Sequence, residues 1–470
     1  MVALDATVIN IALPRAQHAL HFSLANRQWL ITAYALAFGS LLLLGGRLSD
    51  LWGRRTALII GLSGFGAASV LGGSANSFTT LVTARAAQGV FGALLAPAAL
   101  ATLTVTFREP KERAKAFSFF AAVAASGAAI GLLLGGALTQ WSSWRWCLFI
   151  NVFFAALALV GVVLFVSGGR SKHHARLDVV GTIFASAGLF LVVYGFSHAV
   201  TTRWANVVTI SSLVLGCALL TGFVRWEQRS KHPLLPLRLV LNRTRAGSLV
   251  ALFVTSIGIF GISLFLAYYL QGPMGYSPMR TGVAFLPLVA AISFSAAMAS
   301  ARLLAKVGPR PLVPAGMVLA MMGMILFTKL PVNSDYLGSV LPGLVVTGLG
   351  LGLIVAPAIA SATSGIRQRD AGAASALVNT TQQVGGSVGT ALLNTIAVSV
   401  SARALHSLNT QALTSPSRHT SQLLAIGATL HGYHVALWYA AGFFGVGAVL
   451  TFILLESGVT DVESGVVALA

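Results

Sequence analysis

Gly-Arg-Leu-Ser-Asp-Leu-Trp-Gly-Arg-Arg, residues 46–55, lies between two long apolar runs. It returns in weaker form as Ala-Arg-Leu-Leu-Ala-Lys-Val-Gly-Pro-Arg at 301–310, an offset of 255 residues. A second pair keeps nearly the same spacing. Gly-Ala-Leu-Leu-Ala-Pro at 92–97 is echoed by Gly-Leu-Ile-Val-Ala-Pro at 352–357, an offset of 260. Two echoes at near-constant offset imply a duplicated unit, and in an apolar chain such units flank a path between them.

The surrounding composition fixes the solvent. Of 470 residues, 56% are hydrophobic and 9% charged, whereas soluble domains carry about 25% charged residues. Apolar runs are read at 1–14, 29–48, 56–75, 79–105, 115–139, 147–166, 178–197, 206–224, 247–270, 281–304, 312–330, 338–362, 372–400 and 433–455. Their lengths suit spanning helices rather than barrel strands, so the expected fold is an all-α integral membrane protein. The repeat divides it into an N-terminal six-helix bundle (1–168), an inserted helix pair (169–226), a linker (227–246), a C-terminal six-helix bundle (247–456) and a tail (457–470). The first run is short: thirteen residues before Pro14 give about 20 Å of helix against a hydrocarbon core of about 30 Å. An upstream segment is therefore expected to complete it, the alternative being a truncated, inactive copy.

A net charge of +19 could signal nucleic-acid affinity, but the cations occupy short connections. Connections after even-numbered runs hold 21 Lys and Arg, and those after odd-numbered runs hold 8. This asymmetry predicts cytoplasmic termini in the cell membrane, with the lipid bilayer as partner and no nucleic acid. The basic stretch from Arg225 to Arg245 is expected at the inner lipid surface. Cys147 and Cys217 have no metal-ligand or disulfide spacing. No nucleophile elbow or phosphate loop is present, which argues against an enzyme, and no metal, cofactor or obligate protein partner is expected.

Asp5 stands in Met1–Pro14, otherwise apolar apart from Thr7 and Asn10. A carboxylate at hydrocarbon depth costs about 2.5–3.5 kcal/mol on insertion scales and marks a proton, ion or substrate path. Arg85 is the one cation that lies away from the edges of a run. It must find an acceptor or water, and Asp5 is its expected partner. The other acidic residues fall in connections, tails or span ends, and His198, His406, His419, His431 and His434 map to connections or span edges. At 46–55, Gly46 and Gly53 permit a tight turn. Asp50 can pair with a cation or a helix amino terminus, and Arg54 and Arg55 can meet lipid or acidic groups.

The 46–55 stretch resembles the loop signature of the major facilitator superfamily. Leu4–Pro14, Trp29-Leu-Ile-Thr-Ala-Tyr34, Arg85-Ala-Ala-Gln-Gly89, Trp144-Arg-Trp146 with Asn151, and Tyr276-Ser277-Pro278 are similar to motifs of its fourteen-spanner drug:proton antiporter family. The likeness covers essentially the whole chain. It implies two rocking six-helix bundles with proton coupling at Arg85, for which Asp5 is the expected carboxylate partner and proton carrier; Gly46, Asp50, Gly53, Arg54 and Arg55 are read as the cytoplasmic gate. The family's fifth-span signature carries a proline where this chain has Leu132. Gly127, Gly131 and Gly135 still share a helix face and, with Gly136, allow close packing. That departure bears on antiport as opposed to another transport mode. The cavity between the halves is expected to be lined by Asn10, Tyr34, Phe38, Gln88, Asn151, Phe260, Tyr268, Asn379, Gln382 and Gln383, each of which could equally be an interhelical contact. The expected function is proton-driven export of lipophilic or amphipathic small molecules. The alternatives are a dedicated exporter of one endogenous metabolite or antibiotic, and an inactive copy.

Overall fold

Most of these runs are apolar all round, so each is expected to fold as a rod that satisfies its own backbone and faces lipid or other rods. The computed structural model describes residues 1–23, 26–27, 29–107, 110–166, 178–201, 204–230, 242–299, 303–331, 335–364, 366, 371–411, 418–456, 458–460 and 467–469. The basic residues Arg108, Arg170, Lys172, Arg176, Lys231, Arg238, Arg302, Arg367 and Arg369, the centre of the linker, and Arg203 lie outside this set.

The N-terminal half comprises α1 (Val2–Leu20), α2 (Trp29–Trp52), α3 (Arg54–Gly73), α4 (Phe78–Thr106), α5 (Pro110–Trp141) and α6 (Trp146–Phe165). The inserted pair is α7 (Val179–Thr201) and α8 (Val207–Arg229). The C-terminal half begins with α9 (Arg243–Gln271), α10 (Pro278–Ala284) and α11 (Leu286–Met298), followed by the short α12 (Leu304–Val307) and by α13 (Pro309–Phe327). A π-turn, Tyr336–Val340, then leads into α14 (Leu341–Thr363), α15 (Ala371–Gln411) and α16 (Arg418–Leu454). A three-residue ribbon, Gly458–Thr460 against Val467–Leu469, closes the tail. Among the described residues eleven helices are long and apolar enough to cross a membrane.

Side-chain caps set several starts. Ser77, Asn206, Asn242 and Ser277 each accept a hydrogen bond from a backbone N–H two or three residues on, satisfying a donor the helix leaves free. The expected stop at Pro14 does not occur. α1 runs through it to Leu20, about 28 Å over 19 residues. A proline is tolerated inside a spanning helix where neighbours compensate the lost bond, and Pro14 is buried in the bundle. Pro97, Pro314 and Pro357 are likewise helix-interior.

The sequence repeat has a backbone counterpart. Gly53 (φ 86°) precedes α3 and Gly308 (φ 73°) precedes α13, at the two equivalent turns. Both lie in a region costly to residues with a Cβ. Gly53→Ala is expected to cost about 1–2 kcal/mol, lowering the thermal unfolding midpoint in detergent. An unchanged midpoint would contradict the strained turn.

The connections after the first, third and fifth runs lie together at one end, where the Phe22 and Phe78 rings are 5.1 Å apart and Arg145 donates to the Ala75 carbonyl at 2.9 Å. The turns at Gly53 and Gly308, next to basic residues of the sequence, fall at the other end. One hydrophobic core is continuous between the halves. Its N-terminal-half members include α1, Leu30, Leu81, Leu132 and Leu148, toward the end opposite the basic connections. Toward the basic end, Phe38, Leu42, Phe65, Leu94 and Leu95 form a core of the N-terminal half alone. Hydrogen bonds also join the halves at the opposite end. The Tyr268 hydroxyl donates to Gln17 (2.8 Å), Gln271 Nε2 to the Ile11 carbonyl (3.2 Å), and Met279 N–H to Gln140 (3.2 Å). The bundle is therefore sealed at that end. α7 lies against α2 and α15, one from each half.

Candidate functional site

α1 carries Asp5 into the N-terminal half, and α4 presents Arg85 and Gln88 on one face, three residues apart. Arg85 sits seven residues into α4, about 10 Å of rise. Its Nη1 donates to Asp5 Oδ2 at 2.6 Å and to Gln88 Oε1 at 2.7 Å, and its Nε to the Leu30 carbonyl at 3.0 Å. Asn151 of α6 donates to Asp5 Oδ1 at 2.7 Å. Gln88 Nε2 reaches the same oxygen at 3.4 Å and the Ser69 hydroxyl of α3 at 2.7 Å. The Tyr34 ring of α2 lies 4.6 Å from the guanidinium carbon. Five helices thus converge on one carboxylate and one guanidinium, both 1% exposed.

Two ions out of water require partners for their remaining donors and lone pairs. Here amides, a carbonyl and a ring face supply most of them. Tyr34 Oη and Asn151 Oδ1 are buried with no hydrogen-bond partner among the described residues. Asp5 and Arg85 form the only ion pair among the described residues. Adding a proton to Asp5 removes the negative charge facing Arg85, leaving that cation on neutral acceptors. The attraction between α1 and α4 at this point therefore depends on the charge of a single carboxylate.

Several residues expected to line one cavity have other places. Gln88 and Asn151 are fully buried ligands of Asp5. Tyr34 stacks on Phe38 at 5.6 Å, and Phe38 is buried against Gly92. Tyr268 meets Arg27 rather than an open space. Asn10, Asn379, Gln382 and Gln383 are partly exposed, and Gln383 approaches Gly39 across the halves. The Phe260 side chain lies outside the described set. Sequence spacing shows polar side chains on a span, but not which neighbour each faces.

At the expected gate, Gly46 packs near Pro97 of α4 and Gly53 makes the turn. Arg55 donates to the Val163 carbonyl at the end of α6, at 3.0 Å, tying its own half rather than crossing to the other. Arg54 is half-buried, and the Asp50 side chain lies outside the described set. Gly131 and Gly135 bring α5 onto α1, where a Cβ would strike Thr7 and the Leu4 backbone, or Val8. Gly127 faces the same helix more loosely, and Gly136 instead meets Pro278 and Met279 of α10. α5 is helical through Leu132.

Arg27, one of the eight cations in connections after odd-numbered runs, is 1% exposed. It enters the C-terminal half beneath Tyr268, Asn394 and Tyr433. Nothing in the sequence distinguishes it from a solvated charge, because its partners lie more than 240 residues away.

Residues 1–390 match the Major Facilitator Superfamily. The chain is 45% identical over 459 residues to puromycin resistance protein pur8 of Streptomyces alboniger, covering 97% of this chain and 89% of that one. It is 36% identical over 400 residues to cephamycin export protein CmcT of Amycolatopsis lactamdurans, covering 84% and 82%. Its fold is similar to a crystal structure of the POT family transporter PepTSo, with TM-score 0.67 at 16% identity over 96% of this chain and 95% of that one. A duplicated helical bundle with a shared family sequence along most of its length leaves one assignment: the chain belongs to the Major Facilitator Superfamily and is a membrane transporter, not an enzyme.

Proposed function

We propose that this transporter exports lipophilic or amphipathic small molecules across the cytoplasmic membrane in exchange for protons. The observation that carries the reading is the fully buried Asp5–Arg85 pair, held by Gln88 and Asn151. Asp5 is the proton carrier and Arg85 its electrostatic partner. The basic end faces the cytoplasm by the positive-inside asymmetry, so the sealed end faces outward and substrate is taken up from inside. Alternating access then requires the sealed end to open.

The test is ethidium efflux from pump-deficient cells, with and without an imposed proton gradient. Gradient-dependent efflux is expected, reduced at least about tenfold by Asp5→Asn at unchanged membrane level, as removal of an essential proton carrier demands. Asp5→Asn with undiminished coupled efflux would sink the assignment. A second reading is favoured by the names of two of the relatives, a puromycin resistance protein and a cephamycin export protein, each of which concerns one antibiotic type: one self-made compound as the dedicated substrate. Efflux of a single antibiotic but not ethidium would select it.

A further inference from the structure

Arg27 comes from the α1–α2 connection and ends inside the C-terminal half. Its guanidinium carbon lies 3.9 Å from the Tyr268 ring centre of α9 and 5.8 Å from that of Tyr433 of α16. Its terminal nitrogens donate to the Tyr433 hydroxyl at 3.3 Å and to Asn394 of α15 at 3.5 Å. Those bonds are long, and Nε has no hydrogen-bond partner among the described residues. Among the described residues no carboxylate pairs with it. A cation with neutral partners only is held mainly by ring faces, in contrast to Arg85 with its carboxylate at 2.6 Å.

The cage is built by its own half. Phe265 of the same half stacks on Tyr433 at 5.0 Å, while the Tyr268 hydroxyl donates across the halves to Gln17 of α1. The two rings and the Asn394 carbonyl oxygen thus make a cation receptor at the sealed end, filled by a side chain of the opposite half. When the halves part at that end, Arg27 leaves with its own half and the receptor opens to that side.

We propose that Tyr268, Tyr433 and Asn394 form a binding site for organic cations, which Arg27 occupies as an internal plug in the sealed state. The ligand class is an alkylammonium or guanidinium group of about the size of the plug. In transport the site is the last station of a cationic substrate before release. That physiological role rests on the export reading above, whereas the binding itself needs no gradient.

The test uses the purified full chain in detergent with choline and its uncharged isostere, 3,3-dimethylbutan-1-ol, followed by ligand-observed NMR. Arg27→Ala empties the cage and is expected to bind choline at least about tenfold more tightly than the unsubstituted protein, as loss of a competing desolvated cation–π contact implies. The isostere should not gain, and Tyr268→Leu or Tyr433→Leu in the Arg27→Ala background should abolish the gain. Arg27→Lys, which keeps a plug, should bind as weakly as the unsubstituted protein. Equal choline affinity with and without Arg27, or a gain that survives loss of both rings, overturns the site. If Arg27→Ala folds poorly, millimolar methylguanidinium should restore its folded yield, and failure of that rescue counts against the cage. Choline binding without gradient-driven efflux would strike the export mechanism alone, and coupled efflux with an inert cage would strike this site alone.

Discussion

Arg85→Leu is expected to destabilise the folded protein by about 3–5 kcal/mol, the usual consequence of stranding one member of a buried ion pair. Asp5 would retain the Asn151 and Gln88 donors but lose the 2.6 Å guanidinium contact in a site 1% exposed. The stranded charge, rather than the lost contact, is the main penalty. Asp5→Asn in the same chain removes that charge, so the double variant should recover at least about 1 kcal/mol relative to Arg85→Leu, a coupling typical of residues in one network. Asp5→Asn alone should also be costly, because it strands the Arg85 cation, which cannot be neutralised and keeps only Gln88, the Leu30 carbonyl and the Tyr34 ring. Denaturant or thermal unfolding of purified variants measures all three. Strictly additive costs would mean that the two charges do not act as a pair.

Asp5 and Arg85 were legible in the sequence for an energetic reason. Charge is so costly at hydrocarbon depth that its presence implies a partner, and only one carboxylate and one cation lay more than three residues inside a run. Gln88, Asn151 and Tyr34 were visible as polar residues on spans, but their grouping around Asp5 was not. Neutral polar side chains cost little enough that either face of a helix can carry them. Ser69 escaped notice because serine can also satisfy itself on its own helix, as it does here on the Phe65 carbonyl at 2.7 Å. The duplicated architecture was legible because the turn chemistry repeats: Gly53 and Gly308 both require positive φ. The length of α1 was misjudged because proline rules come from water, where a freed carbonyl and a ring clash end a helix. Inside a bundle, neighbours compensate both. Arg27 marks the opposite failure. A cation in a connection reads as solvated, and only the distant rings of the other half make it buried.

The sealed end itself is open to a direct test at Gly282 of α10. A Cβ there would fall on the Leu132 carbonyl of α5, and on the neighbouring turn Gly136 is equally close to the Pro278 and Met279 backbone. Backbone meets backbone at these points, so no rotamer change relieves a larger side chain. The two helices must separate. Gly282→Leu is therefore expected to disfavour the sealed state by about 1–3 kcal/mol, the usual cost of overpacking. That equals roughly a 5- to 150-fold shift toward the state open at that end. The two halves share one core there but not toward the basic end, so the wedge acts on the contact that distinguishes the two access states. Asn394, fully buried in the sealed state, reports the shift. With Cys147 and Cys217 replaced by serine, Asn394→Cys should react with a membrane-impermeant maleimide applied from outside at least about five times faster when Gly282 is leucine. Transport should fall in parallel, because a bundle that cannot reseal cannot complete a cycle. Unchanged labelling in a folded Gly282→Leu protein would mean that α5 and α10 do not form the outer seal. The proton site and the gate would then have to be coupled through other helices.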